Sequence, residues 1–328
     1  MNQAIPAPRI AVPDAIDEEA LRGFDPAAPV VVLQGQTMGT TWQIMAAVPD
    51  ALGLDAQALT ALVQARLDRI VAEMSHWEPG SHLSRFNRAA PGCLTVLPAD
   101  FAQVMACGLR IAEACGGAFD PAQGRLTDAW GLGPRKVAGE PDAATIADAI
   151  AHSGWRRLAF DPQGRVLRQP GGVWLDLSGV AKGFAVDAVA DMLAQHGVRH
   201  ALVEVGGECA GRGMRPDGDP WWVDVEAPAG MEVPLLRVAL HQLAIATSGD
   251  YLRGAHTLDP KTGRPAIHDT TAVTVLHRTC MEADAWATAL GVLPPARARK
   301  LAQERGLAVR LLARDGAEWI SPALAAMF

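Results

Sequence analysis

Segments with helical and with strand periodicity follow one another along this chain in an irregular order. Two runs of strand-forming residues, Val30–Gln34 and Thr41–Ala47, come first, and glycines separate them. The apolar residues of Ala56–Met74 then recur at spacings of three and four, which predicts an amphipathic helix. A doubly wound parallel sheet would show a regular alternation of strands and helices instead. The order therefore favours an α+β fold.

The same two periodicities continue to the end of the chain. Buried or half-buried strands are predicted at residues 173–177, 201–205, 222–226, 238–247, 271–276, 307–312 and 318–320. Helices are predicted from residue 98 to the glycine pair at 116–117 and over residues 180–195, 281–293 and 296–305.

The first 28 residues differ in composition from the rest of the chain. They are rich in proline, alanine and acidic residues, and they lack the basic start and apolar stretch of a secretory signal. We predict a flexible N-terminal arm over residues 1–28 and a single catalytic domain over residues 29–328, because no linker or repeat interrupts the latter. Without a signal peptide the sequence predicts a cytoplasmic protein, or a periplasmic one if a leader has been removed.

Charge and motif content exclude several classes of protein. A net charge of −7 argues against a protein that coats nucleic acid, and no apolar run approaches the roughly 20 residues of a membrane-spanning helix. The cysteines include no C-x-x-C pair, so neither a disulfide framework nor a Cys-rich zinc site is predicted. The chain also lacks GxxxxGK[ST], GxGxxG, HExxH and GxSxG. P-loop, dinucleotide-binding, thermolysin-like and α/β-hydrolase chemistry therefore lose support.

A pattern suited to phosphate binding spans residues 176–183. Asp176 lies near the end of a predicted buried strand, and a helix begins a few residues later. The free N–H groups and positive dipole end of that helix would favour a phosphate. Lys182 adds a positive charge, and Gly179 leaves its carbonyl open. The plainer alternative is that Asp176 caps the helix and that Lys182 is solvated.

A pattern suited to cation binding lies at the start of the helix predicted over residues 281–293. Thr279 and Glu282 have the spacing of a capping box, so the helix should start here. Asp284 and Thr288 are four residues apart and share a helical face. A carboxylate and a hydroxyl one turn apart can both ligate a hard cation, which prefers oxygen. The alternative is an exposed polar stripe.

Four further segments carry groups that packing alone would not require. Gly39 is followed by hydroxyls, which allows a ligand to approach the backbone closely. Trp77 could stack on a flat ring, and Asp120 is held extended by the proline that follows it. His256 and Asp259 lie in a polar loop of the kind that often performs acid–base chemistry. The plainer alternatives are a hairpin turn, a packed tryptophan, a helix cap and an exposed loop.

Read together and in order, these segments resemble the ApbE family, the FAD:protein FMN transferases. The runs that carry the resemblance extend from about Gln34 to Leu293 and are MGTTW, MSHWEPGSHLSRFN, GGAFDPAQGRLTDAWGLGP, LDLSGVAKGFAVD, VEVGGE, ATSGDY, HTLDPKTGRP and MEADAWATAL. One such run would be weak evidence. Eight in the family's order make chance agreement negligible.

The resemblance implies a T-fold-like ApbE-type architecture, with mixed sheets packed against helices. It also implies an enzyme that uses FAD as substrate and Mg²⁺ as cofactor. Such an enzyme would transfer the FMN moiety to a threonine of an acceptor protein, the flavoprotein subunit of a redox system, and release AMP. No nucleic acid and no membrane-spanning segment is expected.

Motif by motif, the resemblance assigns roles to individual residues. The FAD site would be lined by Met38, Trp77, Ala118, Phe119, Asp120, Asp176, Lys182, His256 and Leu258. The metal would be held by the side chains of Asp284 and Thr288, with the Gly179 carbonyl and the Ala287 position. Three residues are candidates for the base that deprotonates the acceptor hydroxyl, namely His256, Asp250 and Asp259.

Two other functions are compatible with the same residues. A metal-dependent FAD pyrophosphatase would use water as the nucleophile and give FMN and AMP. A flavin-binding protein without turnover would hold FAD and never release AMP. The Asp284/Thr288 pair argues against the second of these, since simple flavin binding needs no cation.

Overall fold

A computed structural model describes residues 7–13, 15–250, 254 and 256–328. The strands are β1 Arg9–Ala11, β2 Val30–Thr37, β3 Thr40–Ala47, β4 Leu94–Val96, β5 Ala159–Asp161, β6 Val166–Arg168, β7 His200–Val205, β8 Glu208–Arg212, β9 Trp221–Val225, β10 Leu236–Leu240, β11 Leu243–Gly249, β12 Leu258–Asp259, β13 Arg264–Pro265, β14 Thr270–His277, β15 Ala308–Ala313 and β16 Glu318–Ile320. The α-helices are α1 Ala56–Met74, α2 His82–Asn87, α3 Ala99–Ala114, α4 Gly124–Ala129, α5 Ala143–Ala151, α6 Ala181–Gln195, α7 Cys280–Val292, α8 Pro295–Glu304 and α9 Pro322–Ala325.

One eight-stranded sheet organises the molecule, in the order β16-β15-β14-β11-β8-β7-β3-β2. Every neighbouring pair in it is antiparallel. Helices and smaller sheets pack around it, so the predicted α+β architecture with mixed sheets is confirmed.

Both faces of the central sheet are covered, and the side-chain alternation along each strand shows how. In β11, Ala244 and Ala246 face a core shared with the helices, whereas Ile245 faces a second cluster. In β14, Val275 faces the core shared with the helices and Leu276 faces the second cluster. The second cluster is completed by residues of β9 and β10, which form a small sheet with β1. Coverage of both faces agrees with the burial of every residue of β14 except the two at its ends.

Part of the segment predicted as a flexible arm is paired in the structure. Arg9–Ala11 runs parallel to Leu236–Val238 of β10, and Ala11 is fully buried. The Arg9 guanidinium also forms an ion pair with Glu318. These contacts hold residues 9–11 against the body. Residues 1–6 and Asp14 lie outside the described part of the chain.

Two predicted strands differ from the structure. Residues 238–247 form two strands, because the chain turns at His241 and Gln242, where Gln242 has a φ of 51°. Residues 173–177 are extended and mostly buried, but they pair with no strand in the described part of the chain. Their backbone bonds with a loop instead, because the Gly124 N–H donates to the Trp174 carbonyl. Among the described residues, no helix has the length and apolar character required to cross a membrane.

Candidate active site

The N-terminal ends of α6 and α7 meet at Gly183. A Cβ atom built on Gly183 would lie 2.3 Å from the carbonyl oxygen of Cys280 and 2.8 Å from Cβ of Asp284. Only glycine permits so close an approach of two helix ends. The Gly183 N–H donates to Oδ2 of Asp284 at 2.9 Å. This hydrogen bond joins two helices whose chain positions differ by about a hundred residues.

Thr288 lies one turn beyond Asp284 and faces the turn that precedes α6. A Cβ atom built on Gly179 would lie 2.8 Å from Oγ1 of Thr288. The structure thus brings Gly179, Asp284 and Thr288 into one neighbourhood, with the intervening Ala287 buried. Burial raises the pKa of Asp284, although the Lys182 ammonium and the Gly183 N–H act to lower it.

Glu208 completes this cluster, although no local pattern in the sequence assigns it a role. Its Oε1 accepts from Lys182 Nζ at 2.5 Å, and its Oε2 is buried without a hydrogen-bond partner among the described residues. Burial and the Asp284 carboxylate raise the pKa of Glu208, while Lys182 opposes them. The sequence signal was a carboxylate directly after the Gly206-Gly207 turn.

Oxygen atoms dominate this cluster, and they are the ligands that Mg²⁺ prefers. They comprise the buried carboxylate of Asp284, the hydroxyl of Thr288 and the Oε2 of Glu208, and Gly179 brings a backbone carbonyl to the same neighbourhood. Within the described residues, no group of three or more His, Cys, Asp and Glu side chains is arranged to hold a metal. A cation here would therefore need the hydroxyl and carbonyl as well as the carboxylates. This donor set fits a hard cation.

A cleft of about 390 Å³ is lined in part by Asp176, at the start of the turn that leads to Gly179. The half-exposed indole of Trp77 and the side chain of Trp174 both line it. Its remaining lining residues are His76, Pro79, Ser84, Asn87, Arg88, Gly124, Thr127, Asp128, Gly133, Pro134, Arg135, Leu175 and Asp176. The cleft thus combines flat apolar walls with a few polar groups, which suits a flat heteroaromatic ligand.

Asp176 lies at the inner end of this cleft and is fully hydrogen-bonded. It accepts from the Thr127 hydroxyl at 2.5 Å and from the backbone and hydroxyl of Ser178. Burial acts to raise the pKa of Asp176, but His76 and these hydrogen bonds outweigh burial and lower it. The carboxylate therefore fixes the turn that leads to Gly179.

The Ala118–Asp120 run forms buried structure beneath both regions. Phe119 packs against Gly179, with its Cε2 3.3 Å from a Cβ built there. Asp120 accepts N–H bonds from Ala122 at 2.8 Å and Trp155 at 3.1 Å. All three side chains of the run are nearly inaccessible to solvent. These buried side chains support the wall of the candidate site from its inner side.

Asp120 should make stability depend on pH. Burial raises its pKa to about 6, despite the opposing N–H bonds. The folded protein then binds this proton more tightly than the unfolded chain does. Its contribution is therefore complete below about pH 4 and is lost as the pH rises to about 6, by about 3 kcal/mol. In Asp120→Asn this part of the pH dependence should vanish in urea unfolding at about pH 4 and about pH 7. An unchanged pH slope in Asp120→Asn would contradict the assignment.

The loop that carries His256 and Asp259 packs against α4 and Trp130. Leu258 is buried against Leu126 of α4, and the Trp130 indole donates to the Gly263 carbonyl at 2.7 Å. Asp259 accepts the Lys261 N–H at 2.9 Å and so closes its own turn. Residues 251–253 and 255 lie outside the described part of the chain.

The other two candidate bases, Asp250 and His256, differ in their hydrogen bonds and ion pairs. Asp250 is paired with the Arg314 guanidinium and accepts the Thr271 hydroxyl at 2.9 Å. Among the described residues, the His256 ring is hydrogen-bonded within its own loop, where Nδ1 lies 2.9 Å from the Gly254 carbonyl oxygen. A carbonyl oxygen only accepts, so Nδ1 carries the proton and Nε2 of a neutral ring keeps its lone pair.

Met38 occupies the first position of the β2–β3 turn with a φ of 50°. The turn at Gly206 packs against it, because the Gly206 N–H donates to the Thr41 carbonyl at 3.0 Å. A Cβ atom on Gly206 would lie 2.8 Å from Thr40 Cγ2. The turn that contains Met38 therefore lies next to the Gly206 turn. The Gly206 turn in turn leads into Glu208, which pairs with Lys182.

Comparison with known proteins identifies relatives over nearly the whole chain. The sequence model described as "ApbE family" matches residues 38–311. A FAD:protein FMN transferase from Klebsiella pneumoniae is 36% identical, over 93% of this chain and 91% of its own length. One from Escherichia coli is 34% identical, over 90% and 88%.

Solved structures agree with the sequence relatives. A flavin transferase ApbE from Vibrio cholerae matches with a TM-score of 0.86 and 32% identity, over 92% of this chain and 100% of that chain. The apo form of a Pseudomonas stutzeri flavinyl transferase ApbE matches with a TM-score of 0.85 and 32% identity, over 92% and 97%. By sequence and by fold, this chain belongs to the ApbE family.

Proposed function

We propose that this protein transfers the FMN moiety of FAD to a threonine hydroxyl of an acceptor protein, with Mg²⁺ as cofactor and AMP as the second product. The relatives named above are FAD:protein FMN transferases. The observation that carries the proposal to this chain is the meeting of Gly179, Asp284 and Thr288 beside Lys182. We further propose that the acceptor is the flavoprotein subunit of a redox system.

Positive charge at the α6 N-terminus would hold the pyrophosphate of FAD. The protein is acidic overall, so this charge has to be local. Lys182 lies in the first turn of α6, where the helix dipole is also positive. Bound Mg²⁺ would neutralise charge on the phosphate oxygens as AMP leaves. Asp284, Thr288 and the Gly179 carbonyl would hold that ion.

The Trp77 cleft would take a flat ring of FAD. Indole faces stack on heteroaromatic rings, and the Trp77 indole is 51% exposed, so stacking requires little rearrangement. Lys136 Nζ lies 5.6 Å from the centre of this ring. Helix α4 contributes Thr127 and Asp128 to the wall of this cleft, and Leu258 of the loop that carries His256 packs in the same cluster as Leu126 of α4.

His256 is the base that we propose for the acceptor hydroxyl. In its neutral ring Nδ1 bonds the Gly254 carbonyl and Nε2 keeps a lone pair, whereas Asp250 is engaged by Arg314 and Asp259 by its own turn. We expect His256→Ala to lower the transfer rate by roughly 10²- to 10⁴-fold. Asp250→Asn should lower it by less than about tenfold. The comparison uses single-turnover transfer at saturating FAD. A larger loss in Asp250→Asn would reverse the assignment.

Omitting the acceptor separates the transferase from the two alternative functions. We expect AMP to appear only when FAD, Mg²⁺ and acceptor protein are all present, with one AMP released for each flavin attached. The measurement is AMP by chromatography, together with in-gel flavin fluorescence of the acceptor. Rapid AMP release without acceptor would establish a pyrophosphatase. Bound FAD with no AMP under any condition would establish a flavin-binding protein.

A further inference from the structure

Asp187 is a buried carboxylate of α6 for which the proposed chemistry has no use. Its Oδ1 accepts the N–H of Cys280 at 3.0 Å, and its Oδ2 accepts the N–H of Met281 at 2.9 Å. Arg212 Nη2 lies 3.4 Å from Oδ1. Asp187 is only 9% exposed. Both of its oxygens are thus committed to the first turn of α7.

This contact and the Asp284 contact form a reciprocal pair. Asp187 of α6 accepts from the first turn of α7, and Asp284 of α7 accepts from Gly183 in the first turn of α6. The first N–H groups of any helix lack partners within the helix, so a buried end requires such acceptors. The side chain of Thr279, the local cap of α7, contributes only a 3.4 Å bond. Asp187 is therefore the closer cap of this helix.

The Asp187 and Asp284 contacts fix the position of α7 relative to α6. They therefore fix the distances between the groups that would ligate a cation. Gly179 belongs to the turn that enters α6, whereas Asp284 and Thr288 belong to α7. A sliding or rotation of α7 against α6 would separate these donors. Ligand geometry at a small cation tolerates only a few tenths of an ångström of error.

We propose that Asp187 is a positioning residue of the cation site: by capping α7 from α6, it places Asp284 and Thr288 at ligand distance from Gly179. The inference rests on the proposed function, since it takes the cation site as given. Asp187 itself would touch neither the cation nor FAD. Replacing its carboxylate should loosen the cation site while leaving the binding of the flavin ring unchanged.

Manganese binding tests this role without reference to turnover. The full-length protein is titrated with Mn²⁺ in the presence of FAD, and free Mn²⁺ is measured by electron paramagnetic resonance. We expect Asp187→Asn to weaken Mn²⁺ binding about tenfold or more, since outer-shell partners of metal ligands typically contribute 10- to 100-fold. Transfer by this variant should recover at high Mg²⁺ concentration, which a general loss of structure would not allow.

Asp55→Asn is the matched control, because it makes the same change at a cap remote from the site. Asp55 accepts the Ala58 N–H at 2.7 Å and caps α1. It should lower stability without changing Mn²⁺ binding. If Asp187→Asn does not fold, Asp187→Ser keeps a short acceptor and takes its place. Equal Mn²⁺ affinity in wild type and Asp187→Asn or Asp187→Ser would overturn the positioning role. Absence of Mn²⁺ binding by the wild type would instead overturn the metal site of the proposed function.

Discussion

Asp284→Ala should lower the rate of FMN transfer by roughly 10³-fold or more, because it removes the carboxylate that we propose as the main cation ligand. The variant should nevertheless fold. Burial raises the pKa of Asp284, so the ionised group is held at a cost that the substitution removes. The loss of the acceptor for the buried Gly183 N–H opposes this gain, so the unfolding midpoint in metal-free buffer should fall by no more than the equivalent of about 1–3 kcal/mol. The measurement is single-turnover transfer at several Mg²⁺ concentrations, alongside urea unfolding.

Glu282→Ala is the matched control on the same helix. Glu282 pairs with Arg110 and His277 on another face of α7, away from Gly183. Its loss removes one carboxylate from the helix and should change transfer by less than about threefold. The transfer rate of Thr288→Val should lie between those of Asp284→Ala and Glu282→Ala, because this substitution removes only the hydroxyl ligand. Full transfer by Asp284→Ala at ordinary Mg²⁺ concentrations would remove Asp284 from the mechanism.

Gly183→Ala should lower the free energy of unfolding by about 3 kcal/mol and should abolish metal-dependent transfer. The added Cβ would lie 2.3 Å from the Cys280 carbonyl oxygen, which is backbone and cannot rotate away. Overpacking of this kind typically costs about 1–3 kcal/mol or more, and it exceeds the gain of about 1 kcal/mol from alanine in a helix. Urea unfolding gives the stability, and Mn²⁺ titration with FAD reports the cation site.

Gly291→Ala makes the same change where the helix has room. A Cβ atom there would have its nearest neighbour, Ser248 Oγ, at 3.6 Å, which is ordinary contact. This substitution should leave Mn²⁺ binding unchanged and should raise stability by up to about 1 kcal/mol. Wild-type stability and Mn²⁺ affinity in Gly183→Ala would mean that α6 and α7 do not meet as closely as the structure has them.

Local patterns predicted most of the elements that carry the candidate site. The capping-box spacing of Thr279 and Glu282 placed the start of α7 within one residue, and the structure has the Thr279 side chain accepting from the Glu282 N–H. The spacing of Asp284 and Thr288 put them on one face of that helix. Such features depend on residues within one or two turns, so the sequence alone contains them.

Contacts between distant segments were not predictable from these patterns. Residues 173–177 have the apolar alternation of a strand, yet they bond to the loop at 121–124 instead. Periodicity reports burial and does not identify the partner. In the same way, nothing local indicates that Arg314 engages Asp250 or that Asp187 caps α7. The positions of Glu208 and Gly183 in the cluster likewise depend on tertiary approach.

One diffraction experiment tests the central claim most directly, namely the place of the cation relative to FAD. Crystals grown with FAD and Mn²⁺ would be measured for anomalous scattering. We expect a peak bounded by the Gly179 carbonyl, Asp284 and Thr288, with the FAD pyrophosphate on its open side and the flavin directed to the Trp77 cleft. Well-ordered FAD accompanied by a manganese peak elsewhere, or by none, would contradict the account.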